Sequence, residues 1–191
     1  AYDSPTTSIS TPEVALNLPD IASVVELVRP SVVSVVAQVF LGTDVFGRPV
    51  TDFASGTGVI FDPAGYILTN NHVIQGAQQL TVTLEDGESF QAEVIGHDDI
   101  TDLSIIRIQG TNLQPAKLGS SATVEVGQDV IAIGHALGLS GGPTVSKGVV
   151  SALGRSINTV QNITIIDLIQ TDASINTGNS GGALVNDTGE I

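Results

Sequence analysis

Apolar positions along this chain come mostly in short β-branched bursts between Gly, Asn and Asp, 80–85 alternates at the two-residue period of a half-buried strand, and helical spacing shows once. The exception is Ile21, Val24, Val25 and Val28, which follow Asp20, a good N-cap, and stop at Pro30. That pattern predicts one short helix. β-Branched bursts come next and predict strands over 31–40, 55–61, 66–69, 80–85, 90–95 and 103–108. Turn chemistry separates them. Asp62-Pro63-Ala64-Gly65 and Asp86-Gly87 are turns by composition, and 42–53, with Gly42, Gly47 and Pro49, is expected to be a loop. His72 is expected at the end of the strand that leads into Asn70 and Asn71. His97, Asp98 and Asp99 make a polar corner ahead of Thr101 and Asp102, which open the strand at 103–108.

The pattern lapses over 109–115 and then restarts, with strands expected at 129–133, 144–153, 163–169 and 183–185 and glycine-rich loops at 134–143 and 154–161. The chain therefore divides into an arm at 1–18 rich in Ser, Thr and Pro, a helix with a first lobe at 19–115, and a second lobe at 116–191. Residues 186–189 start a further hairpin, so the second lobe is expected to be shorter and incomplete. Many short strands with close turns imply an all-β barrel or sandwich.

Composition narrows the function classes. No apolar run among the 191 residues approaches a membrane span. Six Lys and Arg stand against 20 Asp and Glu, a formal charge of −14, which argues against charge-driven binding to nucleic acid or an anionic membrane. Without Cys there is no disulfide framework and no thiolate metal site. Met is absent too, so the chain begins at Ala1 without an initiator, and removal of a leader is the expectation.

The candidate chemistry sits at Gly178-Asn179-Ser180-Gly181-Gly182. A serine among glycines packs little and costs backbone entropy, but it can bring the N–H groups of Gly178 and Ser180 into one hollow beside a hydroxyl. Taken alone the pentapeptide is ordinary turn chemistry, and a nucleophile also needs a base and an acid that holds the base. Three histidines are available. His97 lies in the acidic corner and suits a solvated role, His135 lies in a glycine-rich loop and suits a loop hydrogen bond, and His72 follows polar residues with no core to serve. Asp102, at the mouth of an apolar strand, is the candidate acid, while Asp98 and Asp99 look like turn aspartates. The order His72, Asp102, Ser180 is that of the chymotrypsin-type triad.

Five segments carry a resemblance: SGTGVIFDPAGYILTNNHVI (55–74), TDLSIIRI (101–108), GQDVIAIG (127–134), SKGVVSALGRS (146–156) and IQTDASINTGNSGGALVNDTGEI (169–191). In this order they resemble the HtrA family of trypsin-like serine proteases, of the DegP/DegQ type, over roughly residues 20–191. The resemblance implies an all-β, chymotrypsin-like double β-barrel with a short N-terminal helix and a site between the barrels. It implies His72 as base, Asp102 as its orienting acid, Ser180 as nucleophile, and an oxyanion hole at Gly178, Asn179 and Ser180. Ile175 matches a position lining the S1 pocket, and Arg155, expected in a loop, matches an arginine of the activation loop. It further implies unfolded polypeptide substrates, no metal or organic cofactor, a homotrimer assembled through residues 1–30, and a periplasmic, cell-envelope or extracellular location. The chain departs from the family at Gly134-His135-Ala136, where Gly-Asn-Pro is common, and in the short segment 41–54, and no PDZ domain is expected in it. It ends at Ile191, ahead of the strands that would complete the second barrel, which is expected to leave the pocket wall exposed. The alternatives are a chaperone or scaffold that binds without cutting and a self-cleaved, inactive fragment.

Overall fold

The computed structural model describes residues 20–135, 142–158 and 164–191. The arm expected at 1–18, most of the loop expected at 134–143, and Ile163 lie outside them. Helix α1, Ile21–Val28, forms where the spacing places it. The Asp20 carboxylate accepts the Ala22 N–H at 3.3 Å, and Pro30 occupies a 3-10 turn, Arg29–Ser31, that ends the run. Its buried Val24 and Val28 pack with Val32 and Val59 of the first lobe and with Ile131 and Ile133 of the second. The helix thus sits where the lobes meet.

Six strands follow: β1 Val32–Thr43, β2 Pro49–Asp62, β3 Tyr66–Asn70, β4 Ala77–Thr83, β5 Ser89–Asp98 and β6 Leu103–Ile108. They close into a barrel in the order β1-β2-β3-β6-β5-β4, with one helical turn, α2 Asn71–Ile74, between β3 and β4. Alternation aims every second side chain inward, so Val33, Val35, Ile60, Ile67, Ile106 and Ile108 fill the interior. Each such burial contributes about 1.5–3 kcal/mol. The second lobe contains β7 Asp129–Gly134, β8 Thr144–Asn158, β9 Thr164–Thr171 and β10 Ala183–Val185, ordered β10-β7-β8-β9 in one sheet. Val130, Val150, Ile169 and Leu184 line a cavity of about 360 Å³ there. No helix of the described residues is long and apolar enough to cross a membrane.

Three local expectations need correction. Residues 42–53 are mostly strand: β1 and β2 stay paired out to Thr43 and Pro49, and a register shift at Gly42 absorbs the glycine. Only 44–48 turns, around an Asp44 carboxylate that accepts the N–H groups of Phe46 and Arg48 at 2.8 Å each. Likewise β8 runs on through Gly154 to Asn158, because shifts in its pairing with β9 let the ladder continue. Arg155 is therefore a strand residue. The corner at 97–99 also moves, since His97 pairs with Ser104 and Asp98 with Leu103 after a bulge between Val94 and Gly96.

Candidate active site

The end of β3 and the turn α2 are built to present one imidazole. Asp102 sits directly opposite, ahead of β6, with a φ of 57°. A left-handed backbone is uncommon outside glycine, yet aspartate tolerates it better than most residues. The consequence is a residue that turns both its carbonyl and its carboxylate toward α2. The Asp102 carbonyl accepts the Asn71 N–H and the Asn70 Nδ2–H, each at 2.9 Å. Its Oδ1 accepts the backbone N–H of His72 at 2.8 Å, and its Oδ2 lies 2.6 Å from His72 Nδ1. His72 is thereby held at both backbone and ring by one side chain, in a helical turn rather than at the strand end the sequence suggested. In a neutral ring that donates its Nδ1 proton to this carboxylate, the lone pair is on Nε2.

A second layer supports this grip. Asn71, which is buried, donates from Nδ2 to Asp99 Oδ1 at 2.6 Å and accepts from Ser104 Oγ at 3.1 Å. Asp99 is therefore tied to the histidine turn rather than being a plain turn aspartate. Asp98 does fit that description: it accepts the Ile100 N–H and the Thr101 hydroxyl, both at 2.9 Å, and these bonds hold its carboxyl below the usual range.

The serine segment lies against the same region. A Cβ on Gly181, whose φ is 82°, would strike the Thr57 carbonyl and the Thr69 hydroxyl and stand 3.1 Å from the Asn70 nitrogen. Only glycine fits there, and it sets Ser180 beside the turn that carries His72. The Gly182 N–H donates to the Asn179 carbonyl at 2.8 Å, the Asn179 N–H to the Asn176 carbonyl at 3.0 Å, and the Thr57 N–H to the Ser180 carbonyl at 2.8 Å. Gly178 has a φ of 97°. Among the described residues the N–H groups of Gly178 and Ser180 find no acceptor, and Ser180 Oγ shares no hydrogen bond with His72. Two unpaired amides flanking a serine are the donor set an oxyanion requires.

Of the residues singled out in the sequence, His72 and Asp102 are bonded to each other, and the segment with Gly178, Asn179 and Ser180 packs against Thr57 of β2 and the end of β3. Ile175 stands upstream on the same segment, 61 % exposed. Arg155 lies on β8, where its Nε donates to Gln170 Oε1 at 2.9 Å. It shares no hydrogen bond with the other five among the described residues. His97 is exposed, as its acidic surroundings suggested. His135 is 8 % exposed; burial holds its pKa below the usual histidine value. Its backbone N–H donates to Thr57 Oγ1 at 2.8 Å. The sequence did not point to Asn71 or Asp99 as supports, nor to Thr57, whose sole local signal is its place between Gly56 and Gly58. Among the described residues no group of three or more His, Asp or Glu is placed to hold a metal ion.

Known proteins show the same arrangement of segments. The family model described as "Trypsin-like peptidase domain" matches residues 56–191. The periplasmic pH-dependent serine endoprotease DegQ of Escherichia coli (strain K12) is 41% identical over 191 residues, covering 91% of this chain and 41% of DegQ. The serine protease Do-like HtrB of Bacillus subtilis (strain 168) is 40% identical over 186 residues, 92% of this chain and 41% of HtrB. The chain thus spans under half the length of these relatives. Among solved structures, the HtrA-type protease AlgW with decapeptide superimposes with a TM-score of 0.76 at 37% identity, over 89% of this chain and 56% of that one. A closed six-stranded barrel, a second sheet beside it, a serine segment set against the histidine turn and this extent of identity place the chain in the trypsin-like peptidase domain family, in its HtrA type.

Proposed function

We propose that this chain is the catalytic part of a serine endopeptidase that cuts unfolded or damaged polypeptides. Ser180 Oγ attacks a peptide carbonyl while His72 Nε2 takes its proton, and Asp102 stabilises the imidazolium that forms. The Gly178 and Ser180 amides receive the developing oxyanion, with Asn179 between them. His72 then gives the proton to the departing amine, and a water, activated by the same imidazole, releases the acyl group from Ser180. One observation carries this reading above the others: the Asp102 carboxylate binds the ring and the backbone of His72 at once, at 2.6 and 2.8 Å. A chaperone that only binds unfolded chains has no use for a base aligned in this way.

Further parts of the proposal rest on the family. Ile175, exposed ahead of the serine, lines the S1 pocket and favours small or medium aliphatic side chains. Arg155 acts in activation, from strand β8 rather than from a loop. Residues 1–30 assemble a homotrimer, the two lobes divide near residue 115, and the protein works in the periplasm, the cell envelope or outside the cell, the first in keeping with the periplasmic relative from Escherichia coli. The test is labelling with a fluorophosphonate, read by intact mass, together with turnover of an unfolded protein. Labelling at Ser180 alone, and loss of both signals in Ser180→Ala, is the expected result. Turnover that survives Ser180→Ala would remove the proposal.

A further inference from the structure

We infer that Thr57 is a positioning residue for the nucleophile: its hydroxyl, from the first barrel, sets the relative directions of the two oxyanion amides in the second lobe. The inference rests on the protease reading above. Thr57 lies on β2 and is 0% exposed. All its hydrogen-bonding groups are used. Its N–H donates to the Ser180 carbonyl at 2.8 Å and its carbonyl accepts the Thr69 hydroxyl at 2.7 Å. Its hydroxyl donates to the Gly178 carbonyl at 2.7 Å and accepts the His135 N–H at 2.8 Å. One side-chain oxygen thus ties β2, the serine segment and the end of β7 into a single buried knot.

Peptide geometry makes the Gly178 carbonyl the decisive partner. The Gly178 N–H belongs to the peptide plane before that residue and the Ser180 N–H to the plane after Asn179. The plane between them carries the Gly178 carbonyl. Holding that carbonyl fixes the rotation of the linking plane, and so the angle between the two donors. Gly178 cannot hold it unaided, because glycine at a φ of 97° has broad conformational freedom. The neighbouring Gly134 leaves no slack, since a Cβ there would stand 3.0 Å from Asn179 Oδ1 and 3.1 Å from Thr57 Oγ1. Thr57 therefore acts on catalysis through the donors without touching substrate.

Thr57→Val keeps the shape and removes the hydroxyl, leaving the Gly178 carbonyl and the His135 N–H unpaired. Thr57→Ser keeps the hydroxyl and removes a methyl. Ser31→Ala is the control, because Ser31 is likewise buried and donates to the Val28 carbonyl at 2.7 Å, in the turn after α1. The measurements are kcat and KM on a peptide substrate and the rate of fluorophosphonate labelling, each taken below the variant's own unfolding midpoint. Thr57→Val should lose about tenfold or more in kcat and in labelling rate, with KM within about twofold of wild type if only transition-state alignment is lost. Thr57→Ser should restore most of the loss, and Ser31→Ala should lower stability without changing kcat. If Thr57→Val does not fold, Thr57→Ala replaces it in the same comparison. Wild-type kcat in the hydroxyl-free variant, or an equal kcat loss in Ser31→Ala, overturns the inference while the protease reading stands. A wild-type protein that neither labels at Ser180 nor turns over substrate overturns the protease reading instead.

Discussion

Among the described residues the first barrel closes on itself, whereas those of the second lobe form a sheet with β10 at one end and β9 at the other. His72 and Asp102 sit on the closed barrel, braced by that barrel's own Asn70, Asn71, Asp99 and Ser104. The serine segment belongs to the open sheet, and two of its carbonyls are held by Thr57 from across the cleft. One half of the site is braced within its own lobe, and the other is held also from the lobe opposite. Closure removes strand edges and buries a continuous apolar interior, so a closed lobe can brace itself and also its neighbour.

The sharpest test of the division removes one group from each half. Ser180→Ala should lower kcat by about 10⁶-fold with the fold intact, as losing a nucleophile does elsewhere. Asp102→Asn should cost about 10⁴-fold, because the amide would hold the imidazole in the wrong tautomer. Its circular dichroism spectrum should match wild type; if activity is also unchanged, the acid has been misassigned. Core truncation compares the lobes directly. Ile106→Ala, in the closed interior, should cost about 2–5 kcal/mol in urea unfolding. Leu184→Ala, lining the open cavity, should cost about 1 kcal/mol or less. Equal losses would mean that the second lobe is packed as tightly as the first.

The smallest effect concerns His135, buried between the lobes. Its folded pKa is held below the ordinary 6.5 by burial, against smaller opposing contributions from the Val32 backbone and the Glu85 carboxylate. Below pH 6.5 the unfolded chain therefore binds a proton that the folded chain refuses. Stability from this residue is complete above that pH and is lost as pH falls. His135→Gln should flatten the drop in urea midpoint between neutral and mildly acid pH; an unchanged slope would assign the drop to other groups.

Much of the barrel was legible because β-branched bursts and turns such as Asp62-Pro63-Ala64-Gly65 and Asp86-Gly87 are local signals. The misread loops share one cause. Gly42 and Gly154 count as breakers in sequence, but a bulge in a long pair of strands accommodates them, and that needs the partner strand to be seen. His72, Asp102 and Ser180 stood out through their order and their polar surroundings, and the first two meet in the fold. Thr57 and Asp99 did not, because each acts on a partner distant in the chain: the Thr57 hydroxyl reaches Gly178 across 121 residues and Asp99 meets Asn71 across 28. No window short enough to show a local pattern contains both ends of either bond.

That long span also bears on folding. A contact closing 121 residues forms late, since loop closure costs entropy before the contact repays it. During synthesis the N-terminal barrel emerges first and can fold as a unit. His72 and Asp102 are then braced for a time before Ser180 is in place, so on the proposed function the site would be born silent and would switch on only with the final docking of the two lobes.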